Sequence, residues 1–184
     1  MGNHKKTALL IIDMINRMDF EGAEDLYNNT IDIIDPMLEL KHLAKQHDLP
    51  VIYVNDNFGM WKENHDELID YCLEGMGQEW IKKLHPEDDD FFIFKPKHSG
   101  FYGTQLKLLL EDLDVNHLIL TGIAGDMCVL FTAKDAYLEG CSLWVPQNCM
   151  ASEDTFYNDA ALHIIHRLTH CDISEFTGEL PEHE

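Results

Sequence analysis

The stretch Gly122–Gly140, GIAGDMCVLFTAKDAYLEG, places a cysteine directly after a turn of small residues. Cys128 falls in the first turn of the helix that this stretch predicts. A helix N-terminus favours negative charge, and therefore the thiolate, which is the nucleophilic form of cysteine. Cysteines in such positions are also common as small apolar side chains of the core. Cys128 is therefore a candidate nucleophile, with a structural cysteine as the alternative.

Two more side chains with suitable chemistry end predicted strands. Asp13 closes the apolar run TALLIID, and Lys95 closes the run FFIFK. A carboxylate can take the proton of a thiol and return it to a leaving amine, and an ammonium group favours the thiolate. Together with Cys128, these groups suit acyl transfer through a thioester. The alternatives are a helix cap for Asp13 and a surface charge for Lys95.

Short apolar runs and amphipathic stretches alternate along the chain and define the elements that must position these groups. Apolar runs predict strands over residues 7–13, 50–56, 91–95, 116–122 and 141–147, and a short sixth strand over 171–176. Helical spacing predicts helices over residues 29–47, 64–75, 103–114, 126–139 and 152–170. Asn64, Thr104 and Ser152 are the predicted N-caps. Pro36 either begins the first helix or divides it.

Alternating strands and helices, with strands that are apolar on both faces, predict an α/β fold. Helices would cover both faces of a parallel sheet in a three-layer α-β-α arrangement. Ligands of such sheets bind beyond the carboxyl ends of the strands. Asp13, Asn55, Asp56 and Lys95 end predicted strands, and Cys128 follows another. We expect these residues at one edge of the sheet, within one domain that spans residues 1–184.

The composition limits the classes of partner and compartment. A formal net charge of −21 repels phosphate groups, so neither nucleic acid nor an anionic membrane is an expected partner. The acidic run 87–90 is predicted to be a solvated loop. Five cysteines without a CxxC pair, and no evident signal peptide, predict reduced thiols and a cytoplasmic protein. His163 and His166 are not expected to bind a metal, because no carboxylate or cysteine motif accompanies them.

The segments ALLIIDMINRMDF, IFKPKHSGFYGTQL and LILTGIAGDMCVLFTAKDAYLEG, followed by NCMAS, resemble the isochorismatase-like cysteine hydrolases. That family includes nicotinamidases, N-carbamoyl amide hydrolases and isochorismatases. The resemblance implies a six-stranded sheet of order 3-2-1-4-5-6. It makes Asp13 the general base and later acid, Lys95 the catalytic lysine and Cys128 the nucleophile. Lys97 is a nearby alternative to Lys95 that fits the motif less well.

The resemblance also implies a cis peptide between Ile123 and Ala124. Such a bond would aim the Ala124 N–H into the site beside the Cys128 N–H, and the two would form an oxyanion hole. A homo-oligomer, a dimer or tetramer, is a further implication of the resemblance. We expect no cofactor.

Two departures from family patterns sharpen the functional prediction. Nicotinamidases resemble one another in an Asp-x-His metal group after the second strand, but here Asn57 and Phe58 follow Asp56, and His65 is distant in sequence. No metal site is therefore predicted. Isochorismatases proper lack a cysteine at the nucleophile position, so Cys128 favours hydrolysis of an amide or similar C–N bond. Five aromatic side chains are candidates for a substrate pocket, with core or subunit interface as the alternative: Phe20, Phe58, Trp61, Phe101 and Tyr102.

The predicted function is thus a hydrolase for a small amide, with Asp13, Lys95 and Cys128 as its triad. Two alternatives use the same fold. One is a thiol redox sensor or non-catalytic binding domain, which needs only the activated thiol. The other is hydrolysis of a vinyl ether, which Cys128 disfavours.

Overall fold

A parallel sheet lies at the centre of the molecule, whose computed structural model describes residues 6–181. Its strands are β1 Thr7–Ile12, β2 Val51–Asp56, β3 Phe91–Lys95, β4 His117–Gly122 and β5 Ser142–Trp144. They lie in the order β3-β2-β1-β4-β5, and all neighbouring strands are parallel. The reversal of strand order lies between β1 and β4, where ligand crevices of open parallel sheets form.

Helices cover both faces of the sheet. They are α1 Ala23–Gln46, α2 His65–Cys72, α3 Gln78–Leu84, α4 Leu106–Asp112, α5 Leu130–Leu138 and α6 Thr155–Thr169. Alternate residues of β1 point to opposite faces, as in any strand. Leu9 and Ile11 belong to the core under α1, α2 and α3, whereas Ala8, Leu10 and Ile12 belong to the core under α4, α5 and α6. The predicted three-layer α/β architecture is therefore confirmed.

The predicted sixth strand is wrong for the described part of the chain, which forms a five-stranded sheet. Asp172 makes only an isolated parallel bridge with Trp144, and its carbonyl accepts a hydrogen bond from Val145 N–H at 2.9 Å. Residues 173–176 then leave the sheet edge, since Asn148 bonds both the N–H and the carbonyl of Phe176. Residues 171–176 therefore contribute one isolated bridge at Asp172 and a backbone contact at Phe176, and they do not form a strand.

The first helix is longer than predicted. It begins at Ala23 after Gly22, which has a positive φ of 87°, and continues through Pro36 to Gln46. A proline inside a helix removes one backbone hydrogen bond, yet a buried face runs along the whole length of α1 and holds it against the sheet. The sequence pattern also missed α3, a seven-residue helix between α2 and β3.

One of the three predicted N-caps is exact and the other two are wrong. Asn64 caps α2 by accepting hydrogen bonds from the N–H groups of Asp66 and Glu67. The cap of α6 is Asp154, which accepts from Phe156 N–H, and Ser152 has a different role that is described below. The N-cap of α4 is Gln105 rather than the predicted Thr104, whose hydroxyl nevertheless accepts a hydrogen bond from Leu106 N–H at 3.2 Å.

The acidic run at residues 87–90 is not wholly solvated, contrary to its prediction. The side chain of Asp90 is fully buried and lies between two lysines of α1, 3.0 Å from Lys41 Nζ and 2.5 Å from Lys45 Nζ. A buried carboxylate requires such partners, because an isolated charge is costly to desolvate. Through Asp90, this acidic run links the residue before β3 to α1 by ion pairs.

None of the helices between residues 6 and 181 combines the length and the apolar character that are needed to cross a bilayer.

Candidate active site

The carboxyl ends of three strands bring the predicted triad together. Asp13 directly follows β1, Lys95 ends β3, and Cys128 lies in a helical turn soon after β4. Lys95 pairs in register with Asp56 of β2, and Ile12 pairs with Gly122. Because β1 lies between β2 and β4, the three predicted side chains converge at the strand-order reversal.

Lys95 is the side chain that joins the other two. Its Nζ lies 2.8 Å from Asp13 Oδ2 and 3.3 Å from Cys128 Sγ. It also donates to the carbonyl of Lys97 at 3.2 Å, and Asp56 Oδ2 is 3.9 Å away. Lys95 is 0% exposed, so the surface-charge alternative is wrong. The side chain of Lys97 is exposed, and only its backbone contacts this lysine.

Asp13 is held in place by its own backbone and by the neighbouring strand. It adopts a left-handed conformation with φ 52°, which aspartate tolerates better than most residues. Its Oδ1 accepts a hydrogen bond from Asp56 N–H at 2.6 Å. The helix-cap alternative is wrong, since α1 starts ten residues later and Asp13 caps nothing.

Asn55 supports this arrangement in a way that sequence reasoning did not foresee. Its side chain is fully buried, accepts from Ile15 N–H at 3.0 Å and donates to Ile15 O at 2.9 Å. These two hydrogen bonds between the Asn55 side chain and the Ile15 backbone fix the segment that follows Asp13. A polar residue inside the apolar run of β2 was the available signal for such a role.

The pKa values of the triad are strongly interdependent. Burial raises the pKa of Asp13 above its ordinary value, although Lys95 and hydrogen bonds offset part of the effect. Burial, and then the charge of Asp13, raises the pKa of Cys128 despite the opposing effect of Lys95. Burial alone would lower the pKa of Lys95, but Asp13 and Cys128 raise it above its ordinary value. The raised pKa of Cys128 favours the neutral thiol, and the raised pKa of Lys95 favours the ammonium form.

The turn that carries Cys128 is a π-helical turn, Gly125–Val129, rather than the start of an ordinary α-helix. The peptide bond between Ile123 and Ala124 is cis, as the family resemblance implied. Among residues 6–181, no acceptor receives the Ala124 N–H. Such free backbone N–H groups can bind a negatively charged oxygen.

The segment that follows β5 anchors this turn. Gly125 N–H donates to Ala151 O at 2.8 Å, and Asp126 N–H donates to Ser152 Oγ at 3.0 Å. Ser152 in turn donates to Asn158 Oδ1 of α6. Gly122 is required at the entry to the turn, because its φ is 114° and a Cβ would lie 2.0 Å from Ile12 O. The NCMAS motif therefore holds the cysteine turn in position.

A histidine that sequence reasoning did not single out lies beside the thiol. His98 belongs to the loop between β3 and α4, and its Nδ1 is 3.9 Å from Cys128 Sγ. The ring packs against Phe131 of α5, with 5.6 Å between ring centroids. His98 is exposed, whereas Asp13 and Lys95 are buried, so the sulfur has two ionisable neighbours inside and one at the surface.

The donors after β2 do not fit a metal centre. Asp56 accepts a hydrogen bond from Phe58 N–H and faces the ammonium of Lys95, which a divalent cation would oppose. His65 lies 3.3 Å from Asp66 and stacks on Phe92. Over residues 6–181, no three His, Cys, Asp or Glu side chains are grouped to hold an ion. This donor set has the wrong composition for an Asp-x-His group.

The five aromatic residues predicted to line a pocket have different environments. Phe101 is half-buried against the core under α4, α5 and α6. The other four are exposed, from 38% for Phe58 to 75% for Trp61. Across the described residues, no ring contact joins any two of the five. A pocket built from these rings remains a prediction.

Comparison with known proteins shows which family this chain belongs to. The family model described as Isochorismatase domain matches residues 7–171. The chain is 42% identical over 167 residues to the uncharacterized isochorismatase family protein YaaI of Bacillus subtilis, an alignment covering 91% of this chain and 92% of that protein. The chain belongs to the isochorismatase family. The family predicted from the sequence motifs is therefore confirmed.

Other members of the isochorismatase family and its fold are named for amide hydrolysis. Ureidoacrylate amidohydrolase RutB of Serratia proteamaculans is 35% identical over 189 residues, covering 88% of this chain and 76% of that protein. N-carbamoylsarcosine amidase from Thermoplasma acidophilum superposes with a TM-score of 0.71 at 23% identity, covering 97% and 99% of the two chains. The latter likeness shows the shared fold.

Proposed function

We propose that the protein is a hydrolase that cleaves the C–N bond of a small amide through a thioester on Cys128, with residues 1–184 acting as one domain. The observation that carries this proposal is the contact of the Lys95 ammonium with both the Asp13 carboxylate and the Cys128 sulfur. The amidohydrolase and amidase names of related proteins support the substrate class.

The first step is attack on the carbonyl carbon. Because the pKa of Cys128 is raised, the thiol must lose its proton as the S–C bond forms. Asp13 lies 2.8 Å from the Lys95 ammonium that contacts the sulfur, and it takes the proton. Its own raised pKa makes it a stronger base than an ordinary carboxylate. Lys95 stabilises the sulfur as negative charge develops, and it holds Asp13 in place.

The negative charge then moves to the carbonyl oxygen. The N–H groups of Ala124 and Cys128 would stabilise this oxyanion, since among residues 6–181 the Ala124 N–H has no acceptor. Both groups belong to the turn that residues 150–158 anchor, so they need no rearrangement during the reaction. Preorganised donors of this kind contribute about 10²–10³-fold to rate.

Collapse of the tetrahedral intermediate completes the first half-reaction. The C–N bond breaks as Asp13 returns its proton to the departing nitrogen, which leaves an acyl group on Cys128. Water then attacks the thioester with Asp13 taking its proton, and Asp13 returns that proton to the sulfur as the C–S bond breaks. The products are a carboxylic acid and an amine or ammonia, and the thiol is restored.

The redox-sensor alternative is less well supported by this site. Sensor cysteines have a low pKa and an accessible thiolate, whereas burial and Asp13 raise the pKa of Cys128. Vinyl-ether hydrolysis has no specific support from the geometry.

The test is release of ammonia or amine from a panel of small primary amides and carbamoyl compounds. The wild type is expected to turn over at least one of them, and intact-mass measurement after rapid quenching should show the acyl adduct. Cys128→Ala should abolish both, while the matched variant Cys141→Ala, at a half-buried thiol before β5, should retain them. Full turnover by Cys128→Ala would reject the mechanism.

A further inference from the structure

We propose that His98 is a substrate-binding residue that selects primary amides, whose scissile nitrogen carries two N–H bonds. Its imidazole would accept a hydrogen bond from one of these N–H groups at the open side of Cys128. This inference rests on the proposed amide hydrolysis and adds the residue that distinguishes an amide from an ester of the same acid.

The distance between imidazole and sulfur supports this role. His98 Nδ1 lies 3.9 Å from Cys128 Sγ. A carbonyl carbon ready for attack lies about 3–3.5 Å from the nucleophile. Groups bonded to that carbon therefore come within hydrogen-bonding distance of a ring nitrogen in this position, whereas direct activation of the thiol across 3.9 Å would be weak.

The positions of the other polar groups assign the substrate atoms. The carbonyl oxygen is taken by the Ala124 and Cys128 N–H groups, and the nitrogen must face Asp13 to receive its proton. A primary amide has two N–H bonds, so one remains after the contact with Asp13. His98 is the exposed polar neighbour of the sulfur, and it is therefore the side chain placed to accept the second N–H.

The imidazole is also oriented and available. Its ring rests on Phe131, a contact within the usual range for aromatic pairs, which limits the directions in which Nδ1 can point. Within residues 6–181, Cys128 Sγ is the polar atom that contacts this imidazole. A substrate N–H would thus supply the strong hydrogen-bond partner that the free protein does not.

The experiment compares a primary amide with the methyl ester of the same acid, because the ester has no N–H to donate. His98→Phe keeps an aromatic ring beside Phe131 but removes the acceptor. We expect kcat/KM for the amide to fall about tenfold to a hundredfold in this variant, the usual effect of losing one substrate hydrogen bond. The value for the ester should change less than about threefold. His98→Asn, which offers an amide oxygen, should recover part of the amide activity.

The matched control is His42→Phe, at an exposed histidine near the C-terminal end of α1 and towards the amino ends of the strands. It should leave both rates unchanged. Equal losses for amide and ester in His98→Phe, or no loss, would overturn the role of His98 while amide hydrolysis stands. A wild type that cleaves esters but no amide would overturn both proposals.

Discussion

Lys95 and Asp13 form a buried ion pair, with 2.8 Å between Nζ and Oδ2 and side-chain exposures of 0% and 7%. Two charges removed from water to this degree stabilise a fold only while both are present. The same pair contacts the proposed nucleophile. Stability and activity therefore depend on a common pair of groups, and substitutions can separate the two effects.

Lys95→Met should abolish turnover and also destabilise the protein. It leaves Asp13 buried without its counter-charge, which costs about 3–5 kcal/mol of unfolding free energy in comparable buried pairs. The double variant Asp13→Asn/Lys95→Met should recover most of the stability but none of the activity. Urea denaturation at neutral pH measures the first quantity and amide turnover the second.

The control for this comparison is Lys97→Ala, whose side chain is exposed and whose backbone carbonyl is kept. Its unfolding free energy should stay within about 0.5 kcal/mol of the wild type. Equal stability of the wild type and Lys95→Met would show that the pair is not closed in solution.

Asp13→Asn should lower the pKa of Cys128 while it abolishes turnover. After burial, the charge of Asp13 is the largest influence that raises this pKa, and Lys95 lowers it. The isosteric amide of Asn removes the negative charge at position 13 and leaves the Lys95 ammonium beside the sulfur. Thiolate absorbance as a function of pH, with Cys128→Ala as the blank, measures the pKa directly.

The two readouts of Asp13→Asn distinguish its proposed role from mere support of the fold. A thiol that ionises more readily yet does not react with amides indicates that the lost function is proton transfer, which is worth about 10²–10⁴-fold. A Cys128 pKa that rises in this variant would contradict the placement of Asp13 beside the sulfur.

The sequence predicted which three side chains meet at the sheet edge better than it predicted their surroundings. Asp13 and Lys95 are polar residues at the ends of apolar runs, and Cys128 is a reactive residue in the turn after such a run. Because the carboxyl ends of parallel strands lie at one edge of the sheet, such residues can meet there. The thiol's protonation state was not predictable, because it depends on how deeply Asp13 and Lys95 are buried around it. A helix N-terminus alone favours the thiolate.

His98 and Asn55 show where such reasoning stops. Nothing in the local pattern distinguishes a histidine that touches sulfur from one in solvent, since the contact depends on the path of the loop after β3. The position of Asn55 inside an apolar strand does signal a buried polar role, but its partner Ile15 depends on the path of the chain after β1. The mistaken sixth strand has a similar origin, because Asn148 captures the backbone of Phe176.

The acid side of the pH profile should reflect Asp13. This carboxyl must be deprotonated to accept the thiol proton, and burial raises its pKa above the ordinary value of 3.8. Activity is therefore absent below that raised pKa and appears as pH increases through it. In plots of kcat/KM against pH, the acid limb should lie above the range of an exposed aspartate.

Circular dichroism at each pH confirms that the loss of activity is not unfolding. Asp88→Asn, which changes an exposed carboxylate, should leave the limb in place. An acid limb at or below the ordinary aspartate value would mean that Asp13 is not the base, or that it is better solvated than the structure indicates.

Asp90→Ala should destabilise the fold without changing the chemistry of the site. The Asp90 carboxylate is fully buried against Lys41, whose side chain is 6% exposed. Its removal leaves that ammonium with Glu87 at 3.0 Å and the carbonyl of His85 at 2.9 Å. The expected loss is about 1–3 kcal/mol of unfolding free energy, because one of several partners of a buried charge is removed. Asp88→Ala, at an exposed position two residues earlier, should cost less than about 0.5 kcal/mol. Urea denaturation of both variants makes the comparison, and similar stabilities would indicate that the run 87–90 is solvated after all.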